Sequence, residues 1–179
     1  MRLNNFKAMS LNIRYANRND ALLIANISHQ TFYETFADSN RPEDMDKFLN
    51  QQFTKGKLIL EVGSPDNIFL LAYENEVVAG YAKLRDARVP LSIGTDNALE
   101  IARLYAMKER IGKGVGAALM QKSIEIARGM KKDYLWLGVW ENNHKAIEFY
   151  RKWGFEKFDD TEFLLGDDLQ NDWLMRLKL

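Results

Sequence analysis

The chain has 179 residues, of which 46% are hydrophobic and 28% are charged, a composition typical of a globular domain that can bury a core. The 25 basic and 25 acidic residues cancel, so no overall charge draws the chain to nucleic acid or to an anionic membrane. There is no cysteine, which excludes disulfides, thiolate metal ligands and a cysteine nucleophile.

The N-terminal residues lack the apolar core of a signal peptide, and no apolar run approaches the roughly 20 residues of a membrane span. We therefore expect a cytoplasmic protein. The periodic pattern begins near Leu11, and translation could start at Met1 or at Met9. We expect residues 1–10 to form a disordered extension and residues 11–179 to form a single domain.

The patterning of apolar residues predicts an α/β domain. Alternation of apolar and polar residues indicates strands, whereas apolar residues three and four apart indicate helices. In chain order, the predicted elements are a strand (11–17), two helices (21–36 and 42–53), a hairpin of two strands (68–73 and 77–85), a strand (99–107), a helix (115–130), a strand (134–140), a short helix (143–153) and three closing strands (155–160, 161–166 and 172–179). Antiparallel strands therefore flank one strand-helix-strand unit.

The stretch "ERIGKGVGA", residues 109–117, lies between a predicted strand and a predicted helix and has glycine at alternate positions. Because Gly112, Gly114 and Gly116 lack a Cβ, successive amides can turn toward one anion. The following helix adds its free N-terminal amides and its positive dipole end, and Lys113 adds a charge. The loop predicts a pyrophosphate cradle, and a tight turn that binds nothing is the alternative.

Two other phosphate-binding motifs fit this loop less well. A nucleotide P-loop needs Ser or Thr after Lys113, and neither follows. Gly112, Gly114 and Ala117 do satisfy the dinucleotide fingerprint, and Glu141 could serve as its ribose-binding acid. However, only 38 residues follow Glu141, too few to complete a doubly wound sheet. The hypothesis of a dinucleotide-dependent oxidoreductase is therefore supported by the glycine spacing alone.

A second motif, "ENNHKAIEFYRKWGF", spans residues 141–155. Asn143, Ala146 and Tyr150 are three and four residues apart, so they share one helical face. The small side chain of Ala146 lets a ligand approach between an amide and a phenol. The alternative is that this face only packs the helix and that Asn143 caps it.

Together, "IGKGVGAAL" and "NHKAIEFYRKWGF" resemble the GCN5-related N-acetyltransferase (GNAT) superfamily, and the resemblance covers nearly the whole chain. It implies the GNAT fold, a mixed, mostly antiparallel sheet flanked by helices, with acetyl-CoA as co-substrate and no metal. The segments "WLGVWENNHKAIEFYRKWGF" and "FLLGDDLQNDWLMRLKL" look like the PaiA-type polyamine acetyltransferases. The implied acceptor is a primary amine of a small molecule, spermidine or spermine first.

Two alternatives to this acceptor stay open. The same fold acetylates protein N-termini and lysines, and a CoA-binding regulatory module that has lost catalysis would keep the same loop. The sequence also leaves a homodimer open.

The resemblance implies where acetyl-CoA lies. The backbone of the fourth strand would pair with the pantetheine arm, the glycine loop would hold the pyrophosphate, Asn143 would bond the arm and Lys152 a CoA phosphate. The implied contacts are Leu104, Tyr105, Ala106, Gly112, Lys113, Gly114, Val115, Gly116, Ala117, Asn143 and Lys152. Ile111 departs from the family, which usually has Gln or Arg there, but most pyrophosphate contacts are backbone amides.

The chemistry needs a base for the amine and an acid for the departing thiolate, and the amine attacks the thioester directly in a ternary complex. By resemblance, Tyr150 is the acid. Many relatives carry a carboxylate at the position of Ala102. We expect Glu100 on the same strand face as Leu104 and Ala106, and it is the candidate base through a water.

The acceptor pocket is expected, by analogy with the family, between the first helices and the strand ends. Phe32 and Tyr33 offer aromatic surface there, Glu34 offers charge, and Trp140 stands near the end of the fifth strand. A polycation would suit both kinds of group. Alternatively, the helix buries its aromatic residues and Trp140 packs the strand.

Overall fold

A seven-stranded sheet organises residues 11–87 and 89–179, the part of the chain that the computed structural model describes. Its strands are β1 (Leu11–Tyr15), β2 (Asn67–Glu74), β3 (Val77–Arg85), β4 (Ala98–Ala106), β5 (Tyr134–Trp140), β6 (Glu156–Leu165) and β7 (Asp168–Lys178). They lie in the order β1-β2-β3-β4-β5-β7-β6, and only β4 and β5 run parallel. This confirms the mixed, mostly antiparallel sheet. The predicted extension at 1–10 lies outside the described residues.

Helices cover both faces of the sheet. Within the described residues they are α1 (Ala21–Phe36), α2 (Pro42–Lys47), α3 (Lys55–Glu61), α4 (Val115–Gly129) and α5 (His144–Lys152). Neighbouring side chains of a strand point to opposite faces. Leu70 packs with Leu119 of α4 on one face, and Leu71 packs with Ile24 of α1 on the other. We call these the α4 face, which also carries α5, and the α1 face.

The predicted second helix runs as far as expected, as α2 followed by a π-type turn, and a third helix follows it that the pattern missed. α2 ends at Lys47, and a wide π-type turn (Phe48–Gln52) precedes α3. The hydroxyl of Thr54 accepts the amide of Lys57 at 3.3 Å and so caps α3. The helical segment that starts at Pro42 therefore ends before Thr54, and the cap at Thr54 starts a new helix.

The closing strands also differ from the prediction. Residues 155–160 and 161–166 belong to one strand, β6, which a register irregularity bends without ending it, and β7 already begins at Asp168. Between them, Gly166 has φ +63°, and a Cβ there would lie 2.5 Å from the backbone of Asp44 in α2. Only glycine fits where α2 packs on this turn.

The two parallel strands separate after a short contact, and this opens a cleft. β4 and β5 share three register pairs that end at Glu100 and Trp136, although β4 continues to Ala106 and β5 to Trp140. The glycine loop follows β4 and α5 follows β5. Both motifs therefore lie at the carboxyl ends of the diverging strands, where open α/β sheets bind ligands.

Candidate active site

The glycine loop presents backbone donors without acceptors. α4 begins after Gly114, and its first hydrogen bond runs from the amide of Ala118 to the carbonyl of Gly114 at 2.9 Å. In the described part of the chain, no backbone carbonyl accepts from the amides of Gly112, Gly114, Val115, Gly116 and Ala117. Free amides at a helix N-terminus suit an anion such as pyrophosphate.

The space beside these amides is open. Gly112 has φ +78° and Gly114 has φ +84°, in the left-handed region, and no heavy atom lies within 4 Å of a Cβ built on either residue. Gly116 is helical, and its added Cβ would lie 3.7 Å from the ring of Phe149, an ordinary contact. Gly112 and Gly114 thus combine a conformation that favours glycine with room for a ligand.

Charges near the loop divide into bound and exposed groups. Arg110 pairs with the buried carboxylate of Glu74 at the end of β2, so it fastens the loop to the sheet. Lys113 in the loop and Lys152 at the end of α5 are exposed and stay predicted phosphate partners. The side chain of Ile111 is 69% exposed and contributes neither charge nor core packing.

β4 turns alternate backbone groups toward the cleft. The amide of Met107 donates to the carbonyl of Ala79 in β3 at 2.8 Å. With the register of the two strands, this bond determines which residues of β4 form backbone hydrogen bonds to β3. Because bonded and non-bonded pairs alternate, Tyr105 bonds to β3, whereas the amides and carbonyls of Leu104 and Ala106 face the cleft. The predicted pairing with the pantetheine arm is therefore corrected for Tyr105 and stays a prediction for Leu104 and Ala106.

α5 brings Asn143 and Tyr150 to the other side of the cleft. The side-chain oxygen of Asn143 accepts the amide of Ala146 at 3.2 Å and caps the helix, which leaves its amide hydrogens for a ligand. Tyr150 is half-buried with its ring centroid 5.8 Å from that of Phe155, and burial raises the pKa of its phenol to about 12. Tyr150 therefore keeps its proton at neutral pH.

The carboxylate of the predicted base, Glu100, forms an ion pair with Arg85. A β-bulge leaves Ala102 without a partner in β3, which reverses the alternation, so Glu100 and Leu104 lie on opposite faces rather than on one. Arg85 donates to both carboxylate oxygens of Glu100 at 2.5 and 2.8 Å, and Glu100 is only 8% exposed. Accepting a proton would break this bidentate pair, which counts against Glu100 as the base.

An open cavity of about 420 Å³ lies at the end of β5, beside the β6–β7 hairpin. Its lining consists of Ser39, Trp140, Glu141, Asn142, Glu162, Asp168, Leu169, Gln170 and Asn171. Of these nine lining residues, Glu141, Glu162 and Asp168 are acidic and none is basic. Phe36 at the end of α1 meets the ring of Trp140 edge-on, with the centroids 6.2 Å apart. Aromatic and acidic groups therefore share one opening.

Of the four predicted acceptor contacts, only Trp140 lines this cavity. Phe32 is 7% exposed and stacks on Phe48 at 4.6 Å between centroids in the core beneath α1. Its predicted contact with the acceptor is wrong, because the packing of α1 turns that ring inward. Tyr33 is exposed, and Glu34 accepts a hydrogen bond from Gln30 at 2.9 Å on the outside of α1. Both stay predictions.

The sequence pattern missed one acidic residue in the sheet. Asp172 of β7 stands opposite Trp140 of β5 and is half-buried. Burial and the negative charge of Glu141 raise the pKa of Asp172 to about 6. A half-buried carboxyl that titrates near neutrality is typical of active sites. No motif signals it, because it lies in an ordinary closing strand.

Comparison with known proteins decides the family. The profile of the acetyltransferase (GNAT) family matches residues 24–155, which is most of the chain. The chain belongs to the GNAT family. An uncharacterised N-acetyltransferase from the pepI 3′ region of Lactobacillus delbrueckii subsp. lactis is 39% identical over 153 residues, covering 86% of this chain and 88% of that protein. An uncharacterised N-acetyltransferase of Mycobacterium tuberculosis, Rv2669, is 29% identical over 156 residues, which are 87% of this chain and 96% of that protein.

Solved GNAT structures share the fold. PaiA N-acetyltransferase from Thermoplasma acidophilum, in complex with coenzyme A, has a TM-score of 0.76 at 23% identity and covers 96% of this chain and 100% of its own. The yncA structure from Salmonella typhimurium, with its cofactor acetyl-CoA, has a TM-score of 0.66 at 26% identity and covers 94% of both chains.

These findings confirm the predicted fold, the N-acetyltransferase class and acetyl-CoA as co-substrate, and they remove the dinucleotide alternative. Among the described residues, no helix has the length and apolar character needed to cross a membrane. The same residues contain no group of three or more His, Cys, Asp and Glu side chains placed to hold a metal ion.

Proposed function

We propose that this GNAT enzyme acetylates a polyamine such as spermidine or spermine in the cytoplasm. The cavity at the end of β5 carries the proposal, because Glu141, Glu162 and Asp168 line it together with Trp140. Carboxylates attract the ammonium groups of a polyamine, and an aromatic face accepts both its methylenes and its charge. The PaiA-type likeness of residues 136–155 supports the same substrate.

The position of the cavity suits the far end of an extended acceptor. Gly138 is exposed in the part of β5 that has separated from β4, and Trp140 forms the rim of the cavity. Two residues of a strand span about 7 Å, which is comparable with the spacing of nitrogen atoms along a polyamine. One amine would reach the cleft while the next meets the carboxylates.

We propose that the acetyl donor occupies the cleft between β4 and β5. The amides of the glycine loop would hold its pyrophosphate, with Lys113 and Lys152 near the phosphates. The cleft-facing backbone of Leu104 and Ala106 would pair with the pantetheine arm, and the free amide of Asn143 would donate to it.

Transfer would then be direct, within a ternary complex. A backbone amide of β4 at the cleft would stabilise the oxyanion that forms when the amine attacks. Tyr150 would donate to the departing sulfur from the α5 side. Because its pKa of about 12 lies above the ordinary thiol value of about 8.5, complete proton transfer is uphill. Its main contribution would be a hydrogen bond to the developing thiolate.

A thiol-release assay over a panel of acceptors tests the proposed substrate. The panel contains spermidine, spermine, a lysine peptide and a peptide with a free N-terminus, each with acetyl-CoA. We expect the two polyamines to give the highest kcat/KM. A peptide in first place would instead support the protein-acetylating alternative.

Charge-removing variants of the cavity sharpen this test. Glu141→Gln combined with Glu162→Gln should raise KM for spermidine about tenfold, since partly exposed ion pairs contribute about 1 kcal/mol or less each. Glu125→Gln removes an exposed carboxylate from α4, outside this cavity, and should leave KM unchanged. Added salt should raise the wild-type KM toward that of the double variant. Equal KM values in all three proteins would contradict the assignment.

A further inference from the structure

Asp172 lies beside a bare stretch of β5 on the α1 face. Leu137 and Val139 point to the α4 face, so Gly138 between them belongs to the opposite face, where it is exposed. A Cβ built on Gly138 would lie 3.7 Å from Oδ2 of Asp172 and 3.8 Å from Leu174. The carboxylate therefore borders the point at which β4 has already turned away from β5.

Tyr105 of β4 lies on the same face of the sheet as Asp172. Its ring stacks on that of Tyr81 of β3, with the centroids 5.8 Å apart, in the cluster beneath α1. On this face the cleft between β4 and β5 therefore has Tyr105 on its β4 side, and Asp172 lies beyond Gly138 on its β5 side. An acceptor amine that enters between Tyr105 and Gly138 would come near the carboxylate.

Asp172 also lacks the partners that a structural carboxylate has. Within the described residues, no hydrogen bond or ion pair to its carboxylate is formed. The neighbouring side chain of Asn171 donates to Glu141 at 3.1 Å instead. The Asp172 oxygens are not among the buried, unpartnered side-chain atoms of the described residues, so they are accessible to water and to a ligand. A ligand that supplies a proton or a positive charge would complement this unpaired negative charge.

We propose that Asp172 is the catalytic base that takes the proton from the acceptor ammonium. The carboxylate accepts one proton from the ammonium, and the nitrogen lone pair then forms the C–N bond to the thioester carbonyl, whose electron pair moves to oxygen. The return of that pair breaks the C–S bond. The second proton lost by nitrogen balances the proton taken up by sulfur, and Asp172 passes its own proton to solvent.

The electrostatic surroundings suit this role. Burial and the like charge of Glu141 at the end of β5 raise the pKa of Asp172 to about 6, close to the working pH that a general base needs. From β4, the cationic Arg103 shares this face, but its guanidinium donates to both oxygens of Glu61 at 2.5 and 3.0 Å.

The side of β6 likewise offers no cation to Asp172. In the pairing of β6 with β7, the residue opposite Asp172 is Thr161. The adjacent Asp160 forms an ion pair with Lys157 at 2.9 Å, which is an exposed pair at the surface. Among the described residues no cation pairs with Asp172, which has the Glu141 carboxylate and the open cleft as its neighbours, so a cationic amine would supply the missing positive charge.

The pH dependence of kcat/KM tests the proposal. If Asp172 takes the proton, log kcat/KM should rise with pH up to about 6 and then stay flat until the amine itself titrates near pH 10. Without a base, only the free neutral amine reacts, and the rate should rise about tenfold per pH unit up to about pH 10. The assay uses spermidine and, separately, a lysine peptide, each with acetyl-CoA.

Asp172→Asn should lower kcat about 10²- to 10⁴-fold at pH 7 and replace the flat region by a continuous rise, so the defect should shrink by about tenfold per pH unit. Asp160→Asn, which removes an exposed carboxylate of the neighbouring strand, should keep the wild-type profile. Glu100→Gln tests the earlier candidate and should keep the flat region. Acetyl-CoA affinity and melting temperature confirm that each variant is folded.

Three results would overturn the proposal. One is a wild-type profile that climbs steadily through pH 9, which decides the matter even if Asp172→Asn does not fold. Another is a flat region retained by Asp172→Asn. The third is a raised KM with kcat within about threefold of wild type, which would make Asp172 an ammonium anchor. The proposal rests on acetyl transfer to an amine, so a peptide preference would overturn only the polyamine assignment.

Discussion

The glycine loop allows a test in which backbone strain and ligand contact are separated by a matched pair of variants. Gly114 in the glycine loop and Gly94 within the β3–β4 connection have the same φ of +84°. A Cβ on either residue would have no heavy atom within 4 Å. Alanine in this left-handed conformation costs about 1–2 kcal/mol at each position. Gly114→Ala and Gly94→Ala should therefore lower the melting temperature by similar amounts, about 2–4 °C per kcal/mol.

Only Gly114→Ala should weaken acetyl-CoA binding. The open space at Gly114 adjoins the free amides of Val115 and Gly116, and a methyl group there would displace the pyrophosphate from them. Hydrogen bonds to charged groups contribute about 1.5–3 kcal/mol, so the loss of one corresponds to a Kd raised about 10- to 100-fold. Titration calorimetry with acetyl-CoA measures this difference.

A second acetyl donor shows which part of acetyl-CoA loses its contacts in Gly114→Ala. S-acetylpantetheine lacks the pyrophosphate, so Gly114→Ala should keep the wild-type kcat/KM with this donor while losing it with acetyl-CoA. If Gly114→Ala and Gly94→Ala bind acetyl-CoA equally well and melt alike, the loop does not hold the pyrophosphate and the reasoning fails.

Three further predictions concern the cleft. Tyr150→Phe should lower kcat about 10²-fold with acetyl-CoA affinity nearly unchanged, and a kcat within about threefold of wild type would leave the ring with packing alone. Asn143→Asp should keep the helix cap and the melting temperature but weaken acetyl-CoA binding, since the amide hydrogens are lost. Calorimetry and thermal melts measure both quantities, and a lower melting temperature with unchanged affinity would contradict the prediction. Asp172→Asn should stabilise the protein at pH 8. The folded pKa of about 6 lies above the ordinary value of about 3.9, so ionisation destabilises the fold above pH 6, and the gap should close as pH falls from 6 to 4. Discounted for partial exposure, the gain at pH 8 is about 1–2 kcal/mol, and melts that show no gain would contradict it.

Much of the fold follows from patterns within short stretches of chain. The helix at residues 115–130, the buried strand at 134–140 and the hairpin at 68–85 were predicted within a residue or two of their observed ends. The pattern failed where a local cap or a bulge interrupts a regular run. Thr54 caps and starts α3 in a mostly polar stretch, and Gly166 makes the turn that joins β6 to β7.

The sequence by itself determined the GNAT family and the fold class, and it predicts which residues contact acetyl-CoA. These signals are local, because alternate glycines between a strand and a helix are enough to free the amides of one loop. Likewise, Asn143, Ala146 and Tyr150 share a face through helical geometry alone.

Only the tertiary structure decided which residues lie together at the proposed acceptor side. The packing of α1 buried Phe32 and turned Phe36 toward Trp140. A bulge reversed the face of Glu100, and the pairing of β5 with β7 brought Asp172 beside Gly138. A one-residue bulge exchanges the two faces of a strand, and the register between strands distant in sequence is set by their ladder and their packing. No local pattern carries that information, which is why the sequence predicts the acetyl-CoA contacts, whereas the proposal for Asp172 depends on the fold.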